Sequence, residues 1–209
     1  VQDKNQRDIS IRLKKLGENS SFVNDEVVSE RNQKRHYLHT LRTEHLMSDT
    51  LDTLENLTYD ELHEGDTATF TRSLSENELV LFAAVSGDVN PVHLDPEFAA
   101  SSMFGERIAH GMWSGSLISA ALATVMPGPG TIYLDQSLSF KRPVKLDDTL
   151  TVSLTVLRKE PKNRVIFQCV VTNQNNQKVV TGEAKVIAPT EKVILYKPTL
   201  PKITIEGCD

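Results

Sequence analysis

The run IAHGMWSGSLISAALATVM, from Ile108 to Met126, constrains this chain more than any other stretch. It is too apolar to lie along a surface. Its histidine and serines nevertheless interrupt it before it reaches the roughly 18 uninterrupted apolar residues that a membrane span requires. It reads as a helix buried inside a soluble protein, stopped by the PGPG that follows. Its glycines, alanines and serines keep its surface low, so other backbone elements can approach closely.

A buried helix needs a sheet to pack against, and the rest of the chain supplies one. TATFTRSL alternates as a strand should. Ser75 with Glu78 three positions later has the form of a capping box, and ELVLFAAV follows as a helix ending near Gly87. After the central helix come TIYLDQSLSF, DTLTVSLTVLRKE, RVIFQCVVTNQ and KVVTGEAKVIA. Leu150, Val152, Leu154 and Val156 alternate cleanly, and Asn173 to Gln177 form a polar turn between two strands. The order predicts an α+β fold, with an antiparallel sheet curled around a long helix in the manner of a hot dog. Periodicity alone leaves other α+β folds open.

Residues 1–50 differ in character: charged and amide side chains dominate, and apolar residues are sparse. IRLKKL and YLHTLRTEHL could form short amphipathic helices, with Tyr37, Leu38, Leu41 and Leu46 near one face. We expect an accessory segment over 1–57, a catalytic domain over 58–190 and a tail over 191–209. His36, His39 and His45 lack the acidic or thiol partners of a known metal pattern, so surface positions are expected. The basic run Arg31 to Arg35 reads as a solvated face.

The formal charge of −5 argues against nucleic-acid binding by bulk electrostatics. Two cysteines, Cys169 and Cys208, are too few for a disulfide framework or zinc site, and Cys169 in VIFQCVV reads as an inert core thiol. The first residues lack the apolar core of a secretory signal. A cytoplasmic setting without membrane attachment is the expectation.

The loop SGDVNPVHLDPEFA holds Asp88, Asn90, His93 and Asp95 close together, stiffened by Pro91 and Pro96. Two proton-handling groups five residues apart suit addition of water to an α,β-unsaturated thioester. An imidazole takes a proton from water as its oxygen attacks the β-carbon, and a carboxyl group supplies or shuttles the proton bound for the α-carbon. The developing enolate oxygen needs N–H donors, and a helix start offers them unpaired. Gly111, in AHGMWSG, would let the thioester carbonyl come close. Taken singly, Asp88 could be a turn former and His93 an exposed side chain. Asn90 more often caps a turn than touches substrate, and Asp95 reads as a turn former. His110 reads as a helix cap, and Trp113 as packing.

SGDVNPVHLDPEFA, RIAHGMWSGSLIS and GPGTIYLDQSLSFKRPV together resemble the MaoC-like, R-specific enoyl-CoA hydratases over about Tyr59 to Pro189. The likeness is strongest to the hydratase module that precedes a phosphate acetyltransferase in some bacterial bifunctional proteins. It implies a hot-dog fold, usually paired into homodimers with active sites near the subunit interface. It also implies that Asp88 and His93 bind and activate water, that the Gly111 amide meets the substrate carbonyl, and that Ser119 supports Asp88. Asn90, Lys141 and Arg142 are candidate substrate contacts, the last two for coenzyme A phosphates. No metal or redox cofactor is implied, since coenzyme A belongs to the substrate. The chain stops at ITIEGCD where an acetyltransferase would begin, so no such activity is expected. A thioesterase on the same fold and a non-catalytic acyl-CoA-binding module remain as alternatives.

Overall fold

The computed structural model describes residues 52–205. The expected short helices near the N-terminus, the three histidines among them, the basic run and Cys208 lie outside the described residues.

Short strand β1 (Thr53–Glu55) leads to β2 (Thr67–Ser73), then helix α1 (Glu76–Ser86). The expected capping box is formed. Ser75 Oγ accepts the Glu78 N–H at 3.3 Å, and the Glu78 carboxylate accepts the Ser75 N–H at 3.0 Å. Two short helices follow, α2 (Pro91–Leu94) and α3 (Pro96–Ser101), each opened by the proline that lacks an N–H to waste. The central helix α4 spans Gly111–Thr124. Then come β3 (Ile132–Gln136), β4 (Ser139–Phe140), β5 (Thr149–Glu160), β6 (Arg164–Thr172), β7 (Lys178–Ile187) and β8 (Ile194–Tyr196).

The main sheet is antiparallel, ordered β2-β5-β6-β7-β3, with β4 also paired to β7. Leu150, Val152, Leu154 and Val156 are buried on β5, as their alternation predicts. Register sets Leu154 opposite Cys169 and Val156 opposite Phe167, so one face of the sheet is continuous hydrocarbon. Onto it α4 lays Trp113, Leu117, Ile118, Ala121 and Leu122, spaced as a helix spaces one stripe. This is the hot-dog arrangement expected from the sequence.

Two local details differ from expectation. TIYLDQSLSF is not one strand: a register shift falls between Tyr133 and Asp135, and the chain breaks again before β4. The break passes directly over Gly182 of β7, where a Cβ would stand 1.8 Å from the Ser137 carbonyl oxygen. Only glycine permits that crossing. The domain also reaches further than residues 58–190, because β1 pairs antiparallel with β8, Thr53 opposite Tyr196. Buried Asn56 ties this pair down: its Nδ2 donates to the Pro129 and Glu191 carbonyls, and its Oδ1 accepts the Val193 N–H. The alternation rules that mark β5 cannot find three-residue strands held by one amide side chain. Among the described residues no helix is long and apolar enough to cross a membrane.

Candidate active site

The chemistry-bearing loop connects α1 to the start of α4 and is fastened along its length. Arg107 grips Glu76 of α1 with two parallel hydrogen bonds of 2.6 Å, and the carboxylate raises the guanidinium pKa further. The Ala109 N–H donates to the Val144 carbonyl at 2.7 Å. Ile108 is thereby held, and its carbonyl points at the imidazole of His93.

That contact sets the state of His93. A carbonyl oxygen only accepts, so at 2.7 Å Nδ1 must carry the hydrogen. In the neutral ring Nε2 is then the basic atom. His93 is buried, 7% exposed, yet Nε2 lies 3.9 Å from Oδ2 of Asp88, whose side chain is about half exposed (53%). The gap is too long for a direct hydrogen bond and suits one solvent molecule bridging both groups. Asp88 is itself oriented, since Oδ1 accepts the Asn90 N–H and its own N–H reaches Ser86 Oγ, both at 3.2 Å.

Beside the pair opens a cavity of about 320 Å³ lined by His93, His110, Gly111, Ser114 and Phe140, with Lys141 and Arg142 also on its wall. Gly111 is the first residue of α4, a position whose N–H has no intrahelical acceptor. His110 provides no side-chain cap. A Cβ at Gly111 would stand 3.2 Å from the Phe140 ring, so a larger residue would push that ring and crowd the space before the amide. The arrangement offers a base and an N–H donor on one pocket, with the Asp88 carboxylate 3.9 Å from the base, which is what hydration of a polarised double bond requires.

The structure brings together Asp88, His93 and Gly111, and puts Lys141 and Arg142 on the same cavity. Lys141 Nζ donates to Ser139 Oγ at 2.6 Å and Arg142 Nη1 to the Lys178 carbonyl at 2.9 Å. Two other candidates are placed elsewhere. Asn90 spends its Oδ1 on the Val92 N–H as the cap of α2 and does not line the cavity. Ser119 is exposed on α4 and, within this chain, makes no hydrogen bond to Asp88. Its position is about 140° around the helix from Ser114, the buried serine that does face the cavity. Asp95 caps α3, as a turn former should, and Trp113 packs in the core.

His110 is the residue that the sequence reading undervalued. It is 2% exposed and stands with its ring 3.8 Å from that of His93. A signal existed: histidine occupies a helix-start position where Ser, Thr, Asp or Asn usually sits, so it serves something other than the cap. Asp88, His93 and His110 each present one donor atom within 4.8 Å of the others. As a metal set they fit poorly. The 3.9 Å between Asp88 and His93 exceeds the roughly 3.3 Å separating tetrahedral zinc ligands.

Residues 61–180 match the model of the MaoC-like domain. The chain is 40% identical over 131 residues to the (R)-specific enoyl-CoA hydratase of Rhodospirillum rubrum, covering 63% of this chain and 91% of that one. It is 43% identical to the (R)-specific enoyl-CoA hydratase of Aeromonas caviae, over 61% of this chain and 96% of that protein. Among solved structures, unliganded R-hydratase PhaJ1 from Pseudomonas aeruginosa superposes with a TM-score of 0.72 at 57% identity, covering 73% of this chain and 99% of that one.

Proposed function

The chain belongs to the MaoC-like domain family, and from that membership we infer that it is an R-specific enoyl-CoA hydratase. It adds water reversibly to a trans-2-enoyl-CoA, giving an (R)-3-hydroxyacyl-CoA.

Asp88 and His93 hold the water between them. As the water oxygen bonds to the β-carbon, His93 Nε2 takes one of its protons and the double-bond electrons move toward the thioester. The oxygen that gains charge faces the Gly111 N–H at the start of α4, where the helix dipole is positive. The proton taken by His93 then passes to the Asp88 carboxylate and from it to the α-carbon as the enolate electrons return, so the imidazole and the carboxylate both end as they began. The observation that carries this scheme is the 3.9 Å gap between His93 Nε2 and Asp88 Oδ2, next to an uncapped helix start.

Finer features rest on narrower support. Lys141 and Arg142 are cations on the cavity wall, suited to coenzyme A phosphates. The scheme calls for no metal or redox cofactor. A homodimer is supported by β3, an edge strand that leaves Ile132, Tyr133 and Leu134 exposed in succession. A free, buried thiol at Cys169 suits the reducing cytoplasm. The likeness to the module of bifunctional hydratase/phosphate acetyltransferase proteins rests on the motif sequences alone.

The test is turnover of crotonyl-CoA and longer trans-2-enoyl-CoA esters. Enoyl absorbance should fall without release of free thiol, and the product should be the R enantiomer. Constant absorbance across the whole series would remove the hydratase, and thiol release at the same rate would make the protein a thioesterase.

A further inference from the structure

Outside the Asp88–His93 pair, His110 is the titratable group whose contacts most demand an explanation. Its Nε2 lies 2.8 Å from the backbone carbonyl of Asp88. That carbonyl can only accept, so Nε2 carries the hydrogen and Nδ1 is the bare nitrogen of the neutral ring. Nδ1 is buried and has no hydrogen-bond partner among the described residues. The ring lies against His93 with centroids 3.8 Å apart and planes inclined by 31°, and against Phe82 at 5.2 Å on another side. Its chain neighbour is Gly111, whose N–H begins α4.

A buried polar ring is costly unless its position is needed, and one unpaired nitrogen adds to the cost. Packing alone would be served better by a phenylalanine, and capping by a serine. One side chain here touches both members of the pair by different means, a hydrogen bond to the backbone of Asp88 and a face contact on His93. It is also joined covalently to the residue whose amide meets the substrate oxygen.

We propose that His110 is a positioning residue for hydration: its Nε2–H fixes the Asp88 backbone, and its ring fixes the plane of His93, so that the two groups share one water at the correct distance from the Gly111 amide. The proposal rests on the hydratase assignment. Because His110 acts on the geometry of the reacting groups and not on substrate affinity, its loss falls on kcat and leaves KM nearly unchanged.

The experiment compares three replacements in the full-length protein. His110→Ala should lower kcat at least about 30-fold with KM within about threefold. His110→Gln keeps an N–H at nearly the place of Nε2 and should recover kcat to within about fivefold of wild type. His110→Phe keeps the ring and loses the donor, so it should stay close to the alanine variant. In parallel, long-range proton–nitrogen NMR of the imidazoles should show His110 with hydrogen on Nε2 and His93 with hydrogen on Nδ1. A kcat within twofold of wild type in His110→Ala overturns the proposal. So does equal rescue by Phe and Gln, which would make the ring mere packing, and so does a His110 proton found on Nδ1. The glutamine and phenylalanine variants decide the matter even if the alanine protein does not fold. If the wild type hydrates no enoyl thioester, the assignment of function fails separately, and the tautomer measurement, which needs no turnover, judges His110 by itself.

Discussion

The two ends of α4 treat polar groups in opposite ways. Toward its C-terminus the helix meets the PGPG turn and the β1–β8 pair, where Asn56 bonds three backbone groups with one amide and Lys192 covers the Asn56 carbonyl. At its N-terminus the helix has no side-chain cap, His93 Nε2 faces a gap, and His110 Nδ1 has no partner among the described residues. One end commits the Asn56 amide and the Asn56 carbonyl to partners. The other keeps several hydrogen-bonding sites open, which costs stability and is useful only if a ligand fills them. The difference predicts that substitutions at the two kinds of place fail in different assays.

The largest effect is expected at the open end. Asp88→Asn and His93→Ala should each lower kcat by roughly 10²- to 10⁴-fold, as removal of a proton-transfer group does. Thermal unfolding followed by circular dichroism should move less than turnover does, because Asp88 is half exposed and, among the described residues, the His93 side chain has one hydrogen bond to lose, to Ile108. The two losses should not add in the double variant, since both groups act on one water. Near-normal turnover in either single variant would erase the distinction between the two ends.

The reverse pattern is expected in the interior. Leu154 is fully buried on β5, opposite Cys169 and within the cluster that α4 covers. Leu154→Ala should cost about 2–5 kcal/mol in denaturant unfolding, through lost transfer energy and the cavity left behind. Under conditions where the variant is folded, its kcat should stay within a few-fold of wild type. A kcat loss comparable to that of His93→Ala would mean that the interior and the site are not separable.

How much of this was legible beforehand follows the same division. The strand alternation of Leu150 to Val156, the Ser75–Glu78 box and the small-residue helix are local patterns with fixed periods, and the structure has them where the sequence put them. Asp88, His93 and Gly111 were candidates because hydration calls for those types together, and the structure places them close to one another. The break at Ser137 was not, since it depends on Gly182, far along the chain. The β1–β8 pair depends on Asn56 reaching residues 191 and 193 in the same way. Ser114 lines the cavity and Ser119 stands on another face of α4, a placement that residue types alone do not reveal. The stacking of His110 on His93 needs the loop's path in three dimensions. Sequence spacing does not contain it.

The smallest effect tests the closed interior by chemistry and not by substitution of bulk. Cys169 is fully buried, and desolvation pushes its thiol up to about 12, against weaker lowering by hydrogen bonds from Ala184 and Gln136. In the native protein it should resist alkylation at pH 8 while labelling readily in denaturant, read by peptide mass spectrometry so that Cys208 is scored separately. The pH dependence has a definite sign. A folded pKa above the unfolded one means that the native state holds the thiol proton more tightly, so this contribution is complete below the unfolded thiol's pKa and is lost as pH rises toward 12. Cys169→Ala lacks that group. The stability of the wild type relative to the variant should therefore shrink between about pH 9 and pH 11, measured as the difference in Tm, while their activities at neutral pH stay alike. A constant difference, or rapid native labelling of Cys169, would show that the sheet beneath α4 admits solvent and is not closed as its contacts imply.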